Sequence, residues 1–171
     1  MNMKSRRQAK QHRYLSDIRL PEDVLKKFVG DLKVPVDVVE KSLRGLPKRA
    51  ALDNEDVFSQ LGQAVQSINE NIRLVIDYLH MRLKDGFAES EEKIVFEVLG
   101  QFSHMLRERS VPLMGYVSVC QQCKLSEDEF ARNMETIKHY GEQLVKVFKA
   151  LENNWQFWLE TKSFDWRASD L

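Results

Sequence analysis

Cys120 and Cys123 form a C-x-x-C pair, a spacing used both for metal binding and for thiol redox chemistry. A structural zinc site needs four ligands, and the sequence offers neither a second cysteine pair nor histidines at ligand spacing, since His104 and His139 lie far from the pair. A redox pair of this kind would follow a β-strand, and none is predicted. We interpret both cysteines as free thiols, and we predict no metal and no cofactor.

The remaining polar residues do not form a recognisable catalytic set. The sequence has no glycine-rich phosphate loop, no Ser–His–Asp order and no carboxylates at metal-ligand spacing. Two cysteines are also too few for a disulfide framework and suit a reducing compartment. We therefore predict a cytoplasmic protein that is not an enzyme.

Charge is distributed unevenly along the chain, although Lys and Arg balance Asp and Glu at 26 each. Residues 1–50 contain 13 basic and 6 acidic side chains, so the remaining 121 residues carry an equal acidic excess. A basic segment joined to an acidic body indicates contact with a polyanion, or attraction between the two halves.

Length and composition limit the protein class. A chain of 171 residues with 43% hydrophobic and 30% charged residues can form one domain, with or without a small appendage. Seven glycines and four prolines are too few for the many turns of a β-sandwich or a doubly wound sheet. No apolar run approaches the ~20 residues of a membrane span, and the basic N-terminus lacks the apolar core of a secretory signal. We predict no contact with a membrane.

Helical periodicity dominates residues 53–165. Apolar residues at steps of 3 and 4 predict helices over Asp53–Lys84 and Glu89–Arg109. Pro112 predicts a break, with a shorter helix over Leu113–Cys123. A capping box at Ser126 and Glu129 then starts a long helix that extends to about residue 162, with Gly141 on its apolar stripe permitting close approach of another helix. We predict an all-α fold in which these segments form an antiparallel four-helix bundle, with one stripe available for a homodimer or a protein partner.

Residues 1–50 are predicted to form a separate, basic domain. Lys4–Ser16 has the pattern of a polar helix. Pro21 and Pro35 each suit a first helical position, which predicts two short helices, Pro21–Asp31 and Pro35–Arg44. Lys33-Val34 would form a tight turn between them.

This arrangement resembles the repressor-type helix-turn-helix of the Cro and Xre families. The matching residues are Lys33-Val34-Pro35 for the turn, Val38-Val39 for the apolar pair of the recognition helix, and Leu43-Arg44-Gly45 for its end. The resemblance covers residues 25–45 and implies that the second helix enters a DNA groove.

The resemblance assigns roles to individual residues. Val36, Asp37 and Lys41 would face base edges. Phosphates would be contacted by the helix and link residues Lys26, Lys27, Arg44, Lys48 and Arg49 and by the arm residues Arg6, Arg7 and Arg13. The leading hypothesis is a transcriptional regulator that binds double-stranded DNA through residues 1–50. The alternative is a helical hairpin in a non-enzymatic adaptor or subunit of a larger complex, which could contain nucleic acid.

Two further patterns lie in the last helix. Arg132 and His139 resemble the Arg–His motif of metal-independent ribonucleases built on the HEPN bundle, in which two protomers bring these residues together; otherwise they form an exposed basic face, with Glu135 pairing with His139. Among the C-terminal aromatic residues, Trp155 and Trp158 are predicted to close the bundle. Phe164 and Trp166 are predicted to fold back onto it or to bind a partner.

Overall fold

A computed structural model describes residues 20–50, 54–85 and 90–164. Those residues form four helices and contain no strand: α1 (Pro21–Arg44), α2 (Glu55–Asp85), α3 (Ser90–Gln122) and α4 (Glu127–Thr161). The predicted all-α fold is confirmed. The predicted helix over Lys4–Ser16 lies outside the described residues.

The helices form an up-down-up-down bundle in which each helix contacts the next and α1 also packs against α4. At one end of the α2–α3 pair, Arg82 contacts Glu92 at 3.0 Å. At the other end, the Gln121 amide donates to the Phe58 carbonyl oxygen at 3.1 Å. The end of each helix therefore lies beside the start of the next, as expected for an antiparallel bundle with short connections.

One hydrophobic core extends through all four helices. This corrects the predicted division at residues 50–53, because the apolar face of α1 is buried in the same core as α2, α3 and α4. Burial of apolar side chains supplies most of the stability of a helical bundle, at about 25 cal/mol for each Å² of apolar surface. The most deeply buried large side chains are Trp158, Phe102, Phe148, Leu25, Leu32, Leu61, Ile68, Ile72, Leu99, Leu106, Leu113 and Ile137.

Helix α1 continues through Pro35 without a turn. The predicted pair of short helices is therefore wrong for this segment, and so is the turn at Lys33-Val34. A proline inside a helix removes one backbone hydrogen bond and costs about 3 kcal/mol. Here Leu32, Val36 and Val39 are buried on either side of the ring, and their burial offsets that cost.

Helix α3 also contains an internal proline. The break predicted at Pro112 is absent, and α3 extends as one helix from Ser90 to Gln122. The side chains on both sides of the ring explain this continuity, because Ser110 and Leu113 are fully buried in the bundle. Tertiary packing therefore overrides the same local signal in α1 and in α3.

Helix α4 begins and ends as the sequence predicts. The Ser126 hydroxyl accepts from the Glu129 backbone N–H, and the Glu129 carboxylate accepts from the Ser126 N–H, which completes the capping box. Near the other end Trp155 and Trp158 are buried. Phe164 stacks on Trp158 with ring centroids 4.6 Å apart, which confirms that this ring folds back; Trp166 lies outside the described residues.

None of the described helices has the length and apolar character that a membrane crossing requires.

Candidate binding groove between α1 and α4

A solvent-facing groove of about 640 Å³ runs between the C-terminal half of α1 and the middle of α4. Its floor is apolar and its rim is charged, with four basic and two acidic side chains. Six of the eight lining residues are charged, so a ligand of this groove would be held mainly by charge at the rim. The lining residues are Glu40, Leu43, Arg44, Lys138, Glu142, Val145, Lys146 and Lys149.

The floor of the groove depends on Gly141. A β-carbon at this position would lie 2.6 Å from Cδ2 of Leu43, so a larger residue would force α1 and α4 apart or displace the leucine. This confirms the predicted close approach at Gly141. Because the two helices touch here, α1 and α4 form the walls of the groove, and their longer charged side chains form its rim.

Glu40 links the two walls. Its Oε1 atom lies 2.9 Å from Nζ of Lys149 on α4 and 3.5 Å from Nη2 of Arg44 on α1. The hydrogen bond from Lys149 holds the pKa of the Glu40 carboxyl below its ordinary value, and the charges of Lys149, Arg44 and Lys33 act in the same direction. The walls therefore already hold one carboxylate between two cations.

Two lysines of the groove are paired weakly or not at all and are therefore more available to a ligand. Nζ of Lys138 lies 3.9 Å from Oε1 of Glu142, at the limit of an ion pair. Lys146 forms no ion pair within the described part of the chain. With four basic and two acidic side chains, the groove carries an excess of two positive charges.

Further ion pairs line the α1–α4 contact beyond the groove. Nζ of Lys33 lies 3.1 Å from Oε2 of Glu152, and Nζ of Lys162 lies 3.1 Å from Oε1 of Glu22. The hydrogen bond with Glu152, followed by its charge, raises the pKa of Lys33. These contacts join residues in opposite order along the two helices, as expected for an antiparallel pair.

The structure corrects one residue of the predicted DNA-reading face. Val36 is 1% exposed and lies in the core, so it cannot contact a base edge. Val34, expected to fix the angle of a turn, is instead 71% exposed on the outer side of α1. Asp37 and Lys41 are exposed, with Asp37 4.0 Å from Lys33.

The predicted phosphate-binding residues fall into separate groups. Lys26 and Lys27 are on the first half of α1, where Lys27 pairs with Asp31 at 2.7 Å. Arg44 lies about 25 Å further along the helix axis, at 1.5 Å per residue. Arg44 lines the groove, and Lys41, Lys48 and Arg49 are exposed near it in sequence. Arg6, Arg7 and Arg13 lie outside the described residues.

Three basic residues of the groove, Lys138, Lys146 and Lys149, were not identified from the sequence. They follow one another at intervals of eight and three on α4, which keeps them near one face of that helix. The spacing alone identifies a basic stripe. It identifies a groove only when combined with α1 as a packed neighbour of α4, and the predicted separate N-terminal domain excluded that arrangement.

A second cavity, of about 800 Å³, lies at the end of the bundle where α3 meets α4. Phe58 and Phe130 pack edge to face beside it, with centroids 6.2 Å apart. Cys120 and Cys123 also line it, and both are free thiols. Burial raises the pKa of the Cys120 thiol, which favours its protonated form over a reactive thiolate.

Arg132 and His139 are both exposed on α4, as the sequence predicts. His139 packs edge-on against Tyr140 with centroids 5.5 Å apart. Glu135 and His139 do not form the alternative ion pair; on the described part of the chain, the histidine near a carboxylate is His104, 3.1 Å from Glu108. The ribonuclease hypothesis needs a second copy of the chain and stays a prediction.

Among the described residues, no group of three or more His, Cys, Asp and Glu side chains could hold a metal ion. Comparison of the chain with protein-family models, with curated proteins and with solved structures gives no match.

Proposed function

We propose that this protein is a non-enzymatic helical adaptor that binds an acidic segment of a partner protein in the groove between α1 and α4. One observation carries the proposal: four basic side chains from two helices surround an apolar floor formed by Leu43 and Val145. Acidic side chains of a partner can pair with the rim, while an apolar side chain covers the floor.

The shape of the groove favours a polypeptide over a nucleic acid. A concave surface cannot enter a DNA groove in the way that a protruding recognition helix does. DNA binding stays a prediction that rests on charge: most of the basic excess of the first fifty residues falls in residues 1–19, with 6 basic and 1 acidic side chains.

The experiment measures binding of fluorescein-labelled poly-L-glutamate and of a labelled DNA duplex by anisotropy over a salt titration. The affinity for poly-glutamate should fall at least about tenfold when Lys138 and Lys146 are both replaced by glutamate. Exposed lysines can contribute this much because a charge reversal adds repulsion to the lost attraction.

The matched control reverses Lys84 and Lys93, two exposed lysines on α2 and α3 away from the groove. This variant has the same net charge as the groove variant and should bind poly-glutamate as the parent protein does. An equal loss of affinity in the two variants would mean that the net charge of the protein, and not the groove, determines binding, which would contradict the proposal. Binding of the duplex alone would replace the adaptor proposal with the DNA-binding one.

A further inference from the structure

The walls of the groove restrict the conformation that a bound segment can adopt. Both walls are α-helices, so their backbone N–H and C=O groups are already paired within α1 and α4. An extended peptide lying between them would find no backbone partner of the kind that a sheet edge offers. A helical segment satisfies its own backbone and needs only side-chain contacts.

The spacing of the groove lysines sets a second restriction. Lys138 and Lys146 are eight residues apart, which is about 12 Å along the axis of α4. Carboxylates seven or eight positions apart on a second helix have nearly the same separation, about 10.5–12 Å. Val145 directly precedes Lys146 and is 7% exposed, and the half-buried Leu43 of α1 completes the floor, so an apolar side chain of the segment can cover the floor mainly over Leu43.

From these restrictions we propose that the bound segment is an amphipathic helix that lies along α4 as a fifth helix of the bundle. It carries two carboxylates seven positions apart and an aliphatic residue between them. Two carboxylates also match the excess of two positive charges in the groove. This inference rests on the proposed function, because it specifies the partner of the same site.

The test compares three capped, labelled peptides of about 20 residues, a length at which alanine-rich sequences form helix in water. The first has Glu at positions i and i+7 with Leu at i+4. The second has the same composition but Glu at i and i+5, on different faces of the helix. The third is an extended design with prolines between Glu at i and Glu at i+4, which are about 12 Å apart at the ~3.1 Å per residue of a proline-rich chain.

We expect the first peptide to bind at least about tenfold more tightly than the other two. Each of the others loses at least one pairing between a glutamate and a groove lysine together with the aliphatic contact beside it, and tenfold corresponds to about 1.4 kcal/mol. Reversing Lys138 and Lys146 should remove that preference, whereas reversing Lys84 and Lys93 should leave it unchanged. On binding, the circular dichroism of the first peptide should show increased helix content.

The other outcomes separate the two proposals. Equal binding of all three peptides, or best binding of the extended one, overturns the helical segment but keeps the groove as a site if the Lys138/Lys146 reversal removes that binding. Binding of poly-glutamate without binding of any short peptide also overturns the helical segment. If neither poly-glutamate nor a peptide binds, both proposals are wrong.

Discussion

The α2–α3 and α1–α4 contacts both join antiparallel helices, but they place their polar groups at different depths. In the first, the fully buried Ser110 hydroxyl donates to Oδ1 of Asn69 at 2.6 Å. In the second, the polar contacts are ion pairs at the edge, such as Lys33 with Glu152, where water reaches both charges. This contact favours one register, because another register leaves the buried Ser110 hydroxyl unpaired, although the half-buried Asn69 side chain can reach water.

Exposed ion pairs impose a weaker constraint, since each contributes only about 0–1 kcal/mol. The α1–α4 contact therefore depends mainly on its apolar side chains for stability. The two contacts differ in how strictly their polar groups fix the register. The predictions below test this difference, beginning with the largest effect.

Replacing Val36 by aspartate should cost about 3–5 kcal/mol of the free energy of unfolding, because an uncompensated charge would enter the core. The measurement is urea denaturation monitored by circular dichroism. The matched variant Val34→Asp lies two residues away on the exposed side of α1 and should change stability by less than about 0.5 kcal/mol. Similar losses at both positions would mean that α1 is not part of the core.

Ser110→Ala should cost about 0.5–1.5 kcal/mol, because it removes the hydrogen bond that the buried Ser110 hydroxyl donates to Oδ1 of the half-buried Asn69. Thermal unfolding at low and at high salt measures the loss, which should be the same in both, since the two groups are uncharged. A loss that shrinks with added salt would contradict the distinction between the two contacts.

Gly141→Ala should cost up to about 1 kcal/mol, because the overlap of the added β-carbon with the Leu43 side chain exceeds the ~1 kcal/mol that alanine gains over glycine in a helix. The double variant with Leu43→Ala should recover part of that loss in a double-mutant cycle. Gly30 offers the opposite case on α1: apart from the nearby backbone of its own helix, no atom lies within 4 Å of an added β-carbon there, so Gly30→Ala should stabilise the helix by about 0.5–1 kcal/mol.

Lys33→Met should change the free energy of unfolding by no more than about 1 kcal/mol at low salt, the range for exposed ion pairs. In 1 M NaCl, where the Debye length is about 3 Å, the electrostatic part of the effect should vanish. A larger effect that persists in high salt would assign Lys33 a packing role over Phe148, whose ring centroid lies 5.9 Å from its Nζ.

The two remaining predictions concern pH, and the first involves Glu40. The pKa of its carboxyl is lowered in the folded protein, mainly by the hydrogen bond from Lys149, so the folded state favours the charged form. Its contribution to stability is present above the ordinary glutamate pKa of about 4.3 and is lost as the pH falls through the lower, folded value. Glu40→Gln should therefore weaken the fall in the free energy of unfolding as the pH drops below about 4.3, measured by urea denaturation at several pH values.

Tyr78 gives a matching prediction at alkaline pH. Burial raises the pKa of its hydroxyl to about 12, so the folded state holds the proton more tightly than the unfolded chain, whose tyrosines ionise near ~10. Tyr78 should not lower the free energy of unfolding below about pH 10, and that free energy should fall as the pH rises toward 12. Phenolate absorbance should reveal the late titration, and Tyr78→Phe should abolish it.

The sequence predicted best the elements whose signals are local. The capping box at Ser126 and Glu129 and the apolar stripe through Gly141 predicted α4 from its start to its contact with another helix. Pro35 and Pro112 predicted breaks for an equally local reason, and both predictions were wrong because burial of neighbouring side chains outweighed about 3 kcal/mol of proline cost. Single-sequence patterns do not report that burial.

The candidate groove required knowledge that no local pattern contains. The sequence predicts Arg44 as an exposed basic residue, but the groove lysines beside it on α4 are about a hundred positions away in sequence. The misreading of Pro35 separated α1 from the bundle, and Val36 was then placed on a ligand-facing surface instead of in the core. Which helix packs against which is a property of the whole chain.

The contact between Lys162 and Glu22 brings the start of α1 beside the end of α4. Four helices joined in this way form a closed ring, so the order in which the chain visits them is not fixed by their packing. A circular permutant that links α4 to α1 and opens between α2 and α3 should retain the same core. Its groove would then be enclosed by two consecutive helices, within a single hairpin.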